Sequence, residues 1–512
     1  MEKNSVLNKV SVIVFAFVFL VINIVLQVTR PISNLDEIWN YNLANQMLNG
    51  LIPYKDISMI ITPASSFFMA IGLKLVANSL LVYRVIAGFF ITALLIISYK
   101  ILEKLTKNKL FSLLAVFIIE LIFYDFFTYD YNFLIPFLGE IILYLEIKKY
   151  FNNKDVKLDF IIGLIAGISI CTKHTVGAFI ALAVVVLVLF YKKSNKNEKI
   201  KAIITRIIGI SIPALIMFIY LLINGAFGDF INYAILGVSE FSNSISYGEL
   251  FSNEKTIIKI LAVIMPIFLL LCAIFLLSIK KQNTETDILE ILIIYSLPLL
   301  IMIYPISDDM HFLVGTYILL LTLFYVIYRM MESIKINEKI KKYLYNVIII
   351  ISIIIVFIIL ANKTTEGIKT YMHSEKININ HYESLIIPKN LEKRIINVNN
   401  KINKLGNDRV YIIDTEAAVY NIALDRYYKD YDMLNKGNFG KNGEDRLINQ
   451  IKESKNSYFL IRKEGIQHNW QLPVDVVNYI RANFEKIGEV EIFDIYYNNS
   501  EKWEDENEII VT

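Results

Sequence analysis

Two adjacent carboxylates open the first polar stretch that follows an apolar run. The stretch reads Ser33-Asn34-Leu35-Asp36-Glu37-Ile38-Trp39-Asn40-Tyr41, then Gly50-Leu51-Ile52-Pro53-Tyr54-Lys55-Asp56 and Thr62-Pro63. An ionised carboxylate can take the proton from an attacking hydroxyl or amine. The local pattern is helical: Asn34 suits an N-cap, Glu37 stands three residues on, and Ile38, Tyr41, Ala44 and Leu48 recur at spacings of three and four. Gly50 can supply the stop, and Pro53 follows it. Asp36 and Glu37 then fall in the first turn, where the helix dipole favours their ionised forms. Serving only as good first-turn residues is the plainer account of the pair, so the context has to decide.

Other ionisable residues gather near the ends of apolar runs, where a charge is costly unless it is used. Beside Asp36, Glu37 and Asp56 these are Arg84, Asp125, Asp130, Lys173, His174, Asp308, Asp309 and His311. Lys173-His174 interrupts the run Gly163 to Thr175, whose small residues allow helices to approach closely. A snorkelling lysine is the plain alternative for Lys173. Simple capped turns would account for Asp130 with Asn132, and for Asp308 and Asp309. A carboxylate base beside cations that can hold an anion, at a membrane surface, suits a lipid-linked phosphate as substrate.

The elements that position these groups follow from composition. The chain has 512 residues, 55% of them hydrophobic, which makes it a multi-pass membrane protein. Its net charge of +3 gives no reason to expect a nucleic-acid partner. Cys171 and Cys272 both lie in apolar runs, so there is neither a disulfide framework nor a CxxC pattern. Residues 11–28 are too long for a signal-peptide core and precede no small-residue cleavage site, so they read as a retained first span. Runs at 11–28, 83–102, 110–127, 131–148, 158–172, 175–191, 204–224, 256–279, 288–305, 312–330 and 344–361 predict about eleven transmembrane helices.

The further apolar run 59–77 is placed by charge. If it lies along the surface, one set of loops collects Lys100, Lys104, Lys107 and Lys109, then Lys148, Lys149, Lys154 and Lys157, then Lys192, Lys193, Lys196, Lys199 and Lys201. Lys280, Lys281, Arg329, Lys335, Lys339, Lys341 and Lys342 complete that set, while the opposite loops carry mainly Asp and Glu. This is a positive-inside pattern with a cytoplasmic N-terminus and an extracytoplasmic C-terminal domain. The expected organisation is a transmembrane domain over 1–361, with its first outer loop at about 29–82, and an α/β domain over 362–512. In the latter, 409–414, 457–462 and 491–497 read as strands, and 416–424, 444–454 and 473–486 as helices. Asp414, at a strand end, is there either a turn-former or a ligand position.

The Asp36-Glu37 pair, Gly50, Pro53-Tyr54-Lys55-Asp56, the Pro-containing run leading to Arg84, and the Gly163–Lys173 span together resemble the GT-C superfamily of polyprenol-phosphate-sugar glycosyltransferases. The branches it is most similar to are the protein O-mannosyltransferases (glycosyltransferase family 39) and the lipid A aminoarabinose transferases. Tyr304 to His311 resembles a late outer loop of bacterial relatives, whereas His174 and Asp308-Asp309 depart from the best-known branches. The resemblance, over about residues 10–330, implies an inverting transfer of sugar from a polyprenyl-phosphate donor in the membrane to a protein, cell-envelope glycan or lipid acceptor. It implies Asp36 as general base and Glu37 as the group orienting base or acceptor. Arg84 and Lys173, with His311, would hold the phosphate, and Tyr54, Asp56, Asp130, His174 and Asp308 would line the substrate site. No cofactor is required by the pattern; a divalent metal, if used, would have Asp36, Glu37 and Asp56 as its ligands. The alternatives are a transporter or flippase of lipid-linked glycans, or a polymerase of them, but no internal repeat of spans supports a transporter.

Overall fold

In a computed structural model the eleven apolar runs are all helical, yet only some are long and apolar enough to cross a bilayer. The structure describes residues 2–32, 35–152, 156–191, 194–240, 244–279, 283–432, 434, 438–441, 443–464 and 473–499. The expected cap at Asn34 and the basic residues Lys154, Lys192, Lys193, Lys280 and Lys281 lie outside them. In chain order the helices are α1 (Glu2–Thr29), α2 (Leu35–Leu48), α3 (Ala64–Leu75), α4 (Leu80–Thr106), α5 (Lys109–Phe123), α6 (Tyr131–Asn152) and α7 (Val156–Thr172). Then come α8 (His174–Leu189), α9 (Lys196–Ile223), α10 (Phe227–Phe230), α11 (Thr256–Ser278), α12 (Thr284–Leu300), α13 (Asp309–Ser333) and α14 (Glu338–His373). The C-terminal elements are α15 (Lys389–Leu405), β1 (Val410–Ile413), α16 (Ala417–Ala423), α17 (Gly443–Glu453), β2 (Ser457–Arg462), α18 (Val474–Asn483), β3 (Glu485–Val490) and β4 (Phe493–Asn498).

The expected count of about eleven spans is therefore corrected. Among the described residues 6 helices qualify by length and composition: α4, α9, α11, α12 with its 3-10 extension, α13 and α14. Helices α5, α7 and α8 have 15, 17 and 16 residues. At 1.5 Å per residue they rise about 22–26 Å, short of a hydrocarbon core of about 30 Å. Helix α6 is long enough, but Glu140, Glu146, Lys148 and Lys149 break its apolar run. An apolar run in sequence thus does not distinguish a crossing helix from one a turn too short. Helix α3, with 12 residues, fills the ambiguous 59–77 run and is too short to span.

The chain divides into two units. The first comprises residues 1–30, 84–217 and 244–373. Within it α7 packs on α6 and α8, α12 on α8 and α13, and α14 on α1 and α5. Glycines allow the closest approaches. A Cβ on Gly163 would meet the Arg206 carbonyl of α9, and one on Gly177 would meet the Ser169 carbonyl and Ile170 nitrogen of α7. Because backbone on both sides must move, Gly177→Ala should part α7 from α8, at a cost of about 1–3 kcal/mol. Thermal unfolding in detergent, with a lowered midpoint, checks this. Beside Gly163, Arg206 is fully buried and neutralised by Glu146 of α6 at 2.5 Å and Asp159 of α7 at 2.8 Å. Lys149 also contacts Asp159, and Tyr295 of α12 donates to Glu146 at 2.8 Å. These buried charges are thus compensated within the bundle.

The second unit comprises residues 31–83, 218–243 and 374–512. Its sheet has the order β1-β2-β4-β3, with β1 and β2 parallel and the other pairs antiparallel. Ile413, Phe459, Ile461, Leu447, Val476, Ile480 and Phe484 form one core against this sheet. The run read as helix to 486 instead ends at Asn483 and turns back as β3. As an edge strand, β3 leaves Glu485, Lys486, Ile487 and Glu489 exposed, so no alternating apolar pattern announces it. Helix α15 was also not foreseen, although Ile395, Val398 and Ile402 form a buried stripe along it. Asp430 ties the unit's segments together: it accepts from Arg446 at 2.6 and 2.9 Å and from Tyr233 at 2.5 Å, and its own N–H donates to Ser58 Oγ.

Candidate active site

In the first unit the site residues are organised around a single-residue joint. Lys173 is the one non-helical residue between α7 and α8, with extended backbone (φ −147°, ψ 96°). Its N–H still bonds back to the Ser169 carbonyl at 3.0 Å, and its carbonyl accepts from Gly177 at 2.8 Å. The side chain donates to Asn132 Oδ1 at 2.7 Å and lies over the Tyr131 ring at 5.3 Å. Burial pushes the Lys173 amine down to about 8, against the charges of Asp130 and Asp308, which favour the cation. His174 opens α8, and its buried Nδ1 has no hydrogen-bond partner among the described residues.

Asp130 accepts from the Phe133 N–H at 2.6 Å and so caps α6. Asp308 caps α13, accepting from the His311 N–H and from His311 Nδ1, both at 2.8 Å. Burial raises the Asp308 carboxyl, but these His311 contacts outweigh it and hold the group below the usual range. The capping reading of Asp130 and Asp308 thus holds alongside their nearness to Lys173. Asp125 and Asp309 are engaged elsewhere, with Lys255 at 3.0 Å and with Asn253 respectively. Arg84 is 1% exposed, and its Nη1 donates to the Arg30 carbonyl at 2.5 Å, beyond the end of α1. Asn132 and Tyr131, which hold the Lys173 ammonium, were legible only as parts of a turn.

In the second unit the carboxylates sit on an unusual helix. All of α2 from Glu37 to Met47 is buried, including Asn40, Asn42, Asn45 and Gln46. Asp36 is the one exposed residue of this helix. Trp39 Nε1 donates to the Thr415 carbonyl at 3.2 Å, and Gln46 Nε2 to Asp432 at 2.5 Å. Burial pushes the Asp432 carboxyl up to about 6 in spite of its donors. Glu37 is 5% exposed, in the electrostatic neighbourhood of Tyr382.

The loop after α2 is self-supporting. Asp56 accepts from the Ile52 N–H at 2.8 Å. Tyr54 is fully buried at a positive φ of 67°, and its hydroxyl donates to the Ile61 carbonyl at 2.7 Å. Both residues therefore shape the loop. Among the described residues no three His, Cys, Asp or Glu side chains are grouped to hold a metal. Asp414 is likewise structural: it is fully buried, bonds Arg462 through two 2.7 Å contacts, and accepts from the Glu416 N–H.

The fold defines the class only as helical, with 6 helices among the described residues long and apolar enough to cross a membrane, and its likeness to solved structures is with membrane glycosyltransferases. ArnT from Cupriavidus metallidurans in the apo state is similar over 97% of this chain and 99% of its own, with a TM-score of 0.57 and 9% identity. The same protein bound to undecaprenyl phosphate is similar over 96% and 98%, with a TM-score of 0.56 and 10% identity. The arabinofuranosyltransferase AftD from Mycobacteria is similar over 95% of this chain but 40% of its own, with a TM-score of 0.51 and 12% identity. At these identities the likeness is one of fold. No family model matches the chain, and no curated protein sequence does.

Proposed function

We propose that this chain is an inverting glycosyltransferase that moves a sugar from a polyprenyl-phosphate donor to a hydroxyl or amine acceptor at the outer membrane face. The observation that carries this reading is Asp36: the single exposed side chain of a buried helix is a carboxylate in its first turn. A general base needs both ionisation and access, and a first-turn place on an exposed position supplies both. The acceptor oxygen or nitrogen attacks the anomeric carbon as the bond to phosphate breaks; its proton passes to Asp36, and the phosphate leaves with the electron pair. One displacement inverts the anomeric centre. Lys173, with Asn132 holding its ammonium, meets the charge that grows on the departing phosphate. His311, its Nδ1 held by Asp308, and Arg84 are the further cationic candidates for that phosphate. Glu37 orients the acceptor or the base. A panel of radiolabelled prenyl-phosphate sugars, offered with acceptor extracts to membranes containing the full-length protein, tests the reading; consumption of none of them would count against it.

The orientation follows from charge. In the first unit, Lys148 and Lys149 near the end of α6, Lys157 at the start of α7, and Lys196, Lys199 and Lys201 at the start of α9 mark one end of the helices. Asp130, Lys173 and Asp308 mark the other. The basic end is the cytoplasmic one by the positive-inside rule. An impermeant thiol reagent on intact cells should label Glu383→Cys, and should label Lys157→Cys only after permeabilisation.

A further inference from the structure

The second unit holds a chain of hydrogen bonds for which the transfer chemistry has no use. Asp425, with a side chain 55% exposed, accepts from Asn380 Nδ2 at 2.7 Å and faces His381 Nε2 at 2.7 Å. An ionised carboxylate only accepts, so His381 carries a proton on Nε2. On the other side of the ring, Nδ1 lies 2.7 Å from the Tyr41 hydroxyl oxygen and 3.1 Å from the Asn78 carbonyl, which can only accept, while the Tyr41 hydroxyl donates to Asn78 Oδ1. Tyr41 is fully buried on α2, five residues beyond Asp36.

The surroundings fix this arrangement. Asn78 places its Oδ1 3.2 Å from the Tyr41 hydroxyl and its carbonyl 3.1 Å from Nδ1, and its Nδ2 donates to Asn45 of α2 at 2.6 Å. Asn45 and Asn49 donate to the Tyr427 hydroxyl at 3.1 and 2.9 Å. His381 itself has φ 67°, a left-handed conformation that non-glycine residues adopt only where the surroundings impose it. Its carbonyl accepts from the Leu80 N–H at 3.0 Å, which fixes the direction of the ring.

A helix turns 100° per residue, so a bond to one buried side chain sets the azimuth of every other side chain on it. Trp39 and Gln46 secure α2 on either side, but the Tyr41 bond is the one anchored to an imidazole that a carboxylate orients in turn. We propose that His381, oriented by Asp425, is a positioning residue: through Tyr41 it sets the rotation of α2 and so the direction in which Asp36 meets the acceptor. The inference rests on the proposed role of Asp36 as base.

The test compares full-length wild type with Asp36→Asn, Tyr41→Phe, His381→Gln, His381→Asn and the double variant Tyr41→Phe/His381→Gln. Asparagine tolerates the left-handed backbone and offers an amide N–H near the position of Nδ1, so it keeps the Tyr41 contact. Glutamine reaches toward Asp425 and loses Tyr41. Tyr41→Phe and His381→Gln should each lower kcat roughly tenfold with the KM for the prenyl-phosphate sugar unchanged, because misdirection affects the reacting geometry and not donor binding. The double variant should be no worse than either single one, and His381→Asn should restore most of the rate. Hydrogen exchange of the α2 amides should rise roughly tenfold in the first two variants and stay near wild type in His381→Asn.

Wild-type kcat and α2 protection in His381→Gln, or additive losses in the double variant, would overturn the proposal. Tyr41→Phe, which keeps the ring, decides the matter if His381→Gln does not fold. If Asp36→Asn retains full transfer, the base assignment falls, and the hold on α2 is then judged by hydrogen exchange alone.

Discussion

Asp36→Asn removes sugar transfer, with kcat lowered about 10²–10⁴-fold, while expression, membrane insertion and thermal stability stay at wild-type levels. The substitution keeps the size of the side chain and removes only its capacity to take a proton. Because Asp36 is the one exposed residue of α2 and Asn keeps its size, the packing of the helix is kept. The buried neighbour provides the contrast. Glu37→Gln should cost both stability and activity, since Glu37 is enclosed. The measurement is turnover of a labelled prenyl-phosphate sugar by matched amounts of purified protein, with the melting temperature recorded on the same samples. Undiminished transfer by Asp36→Asn would remove the base from the first loop and bring the transporter reading forward.

Lys173→Ala should lower kcat/KM for the lipid-linked donor by about 10²-fold, the size expected when a charge on a developing anion is withdrawn. It also removes the donor to Asn132. The same residue gives a pH signature. Burial holds the amine down at about 8, so the cation is present below that pH and is lost as the pH rises through it. In the free protein, kcat/KM for the donor should therefore fall on the alkaline side with a midpoint near 8. Lys173→Arg should move that limb out of range, because guanidinium stays charged throughout. A profile flat from pH 7 to 10 in wild type, or a limb near 8 that survives in Lys173→Arg, would assign the phosphate to other cations.

What the sequence disclosed depended on how local the physics was. The Gly163–Lys173 stretch was readable because small residues and an interrupting lysine state their own constraint, and the structure puts helix backbones against those glycines. Asp36 and Glu37 were readable as a first turn. The spacing of Ile38, Tyr41, Ala44 and Leu48, however, suggested one buried face, whereas α2 is buried almost all round. Its asparagines and glutamine are matched by residues such as Tyr427 and Asp432, from the far end of the chain, which periodicity cannot see. Tyr54 and Asp56 carried the family-like motif but serve the loop through Ile61 and Ile52. Their identity was visible and their bonding partners were not. The number of spans went astray because α5, α7 and α8 stop a turn or so short, a matter of caps that hydropathy does not register.

The bonds that hold α2 join residues made early in synthesis to residues made late. Tyr41 meets His381 across 340 positions, Trp39 meets Thr415 across 376, and Gln46 meets Asp432 across 386. Contacts of such separation form only after the intervening chain exists and has found its place. A nascent chain with all its apolar helices inserted, but ending near residue 373, would still lack every one of these anchors. On the proposed role of Asp36, competence for chemistry therefore waits until the segment that carries His381, Thr415 and Asp432 has been made and folded.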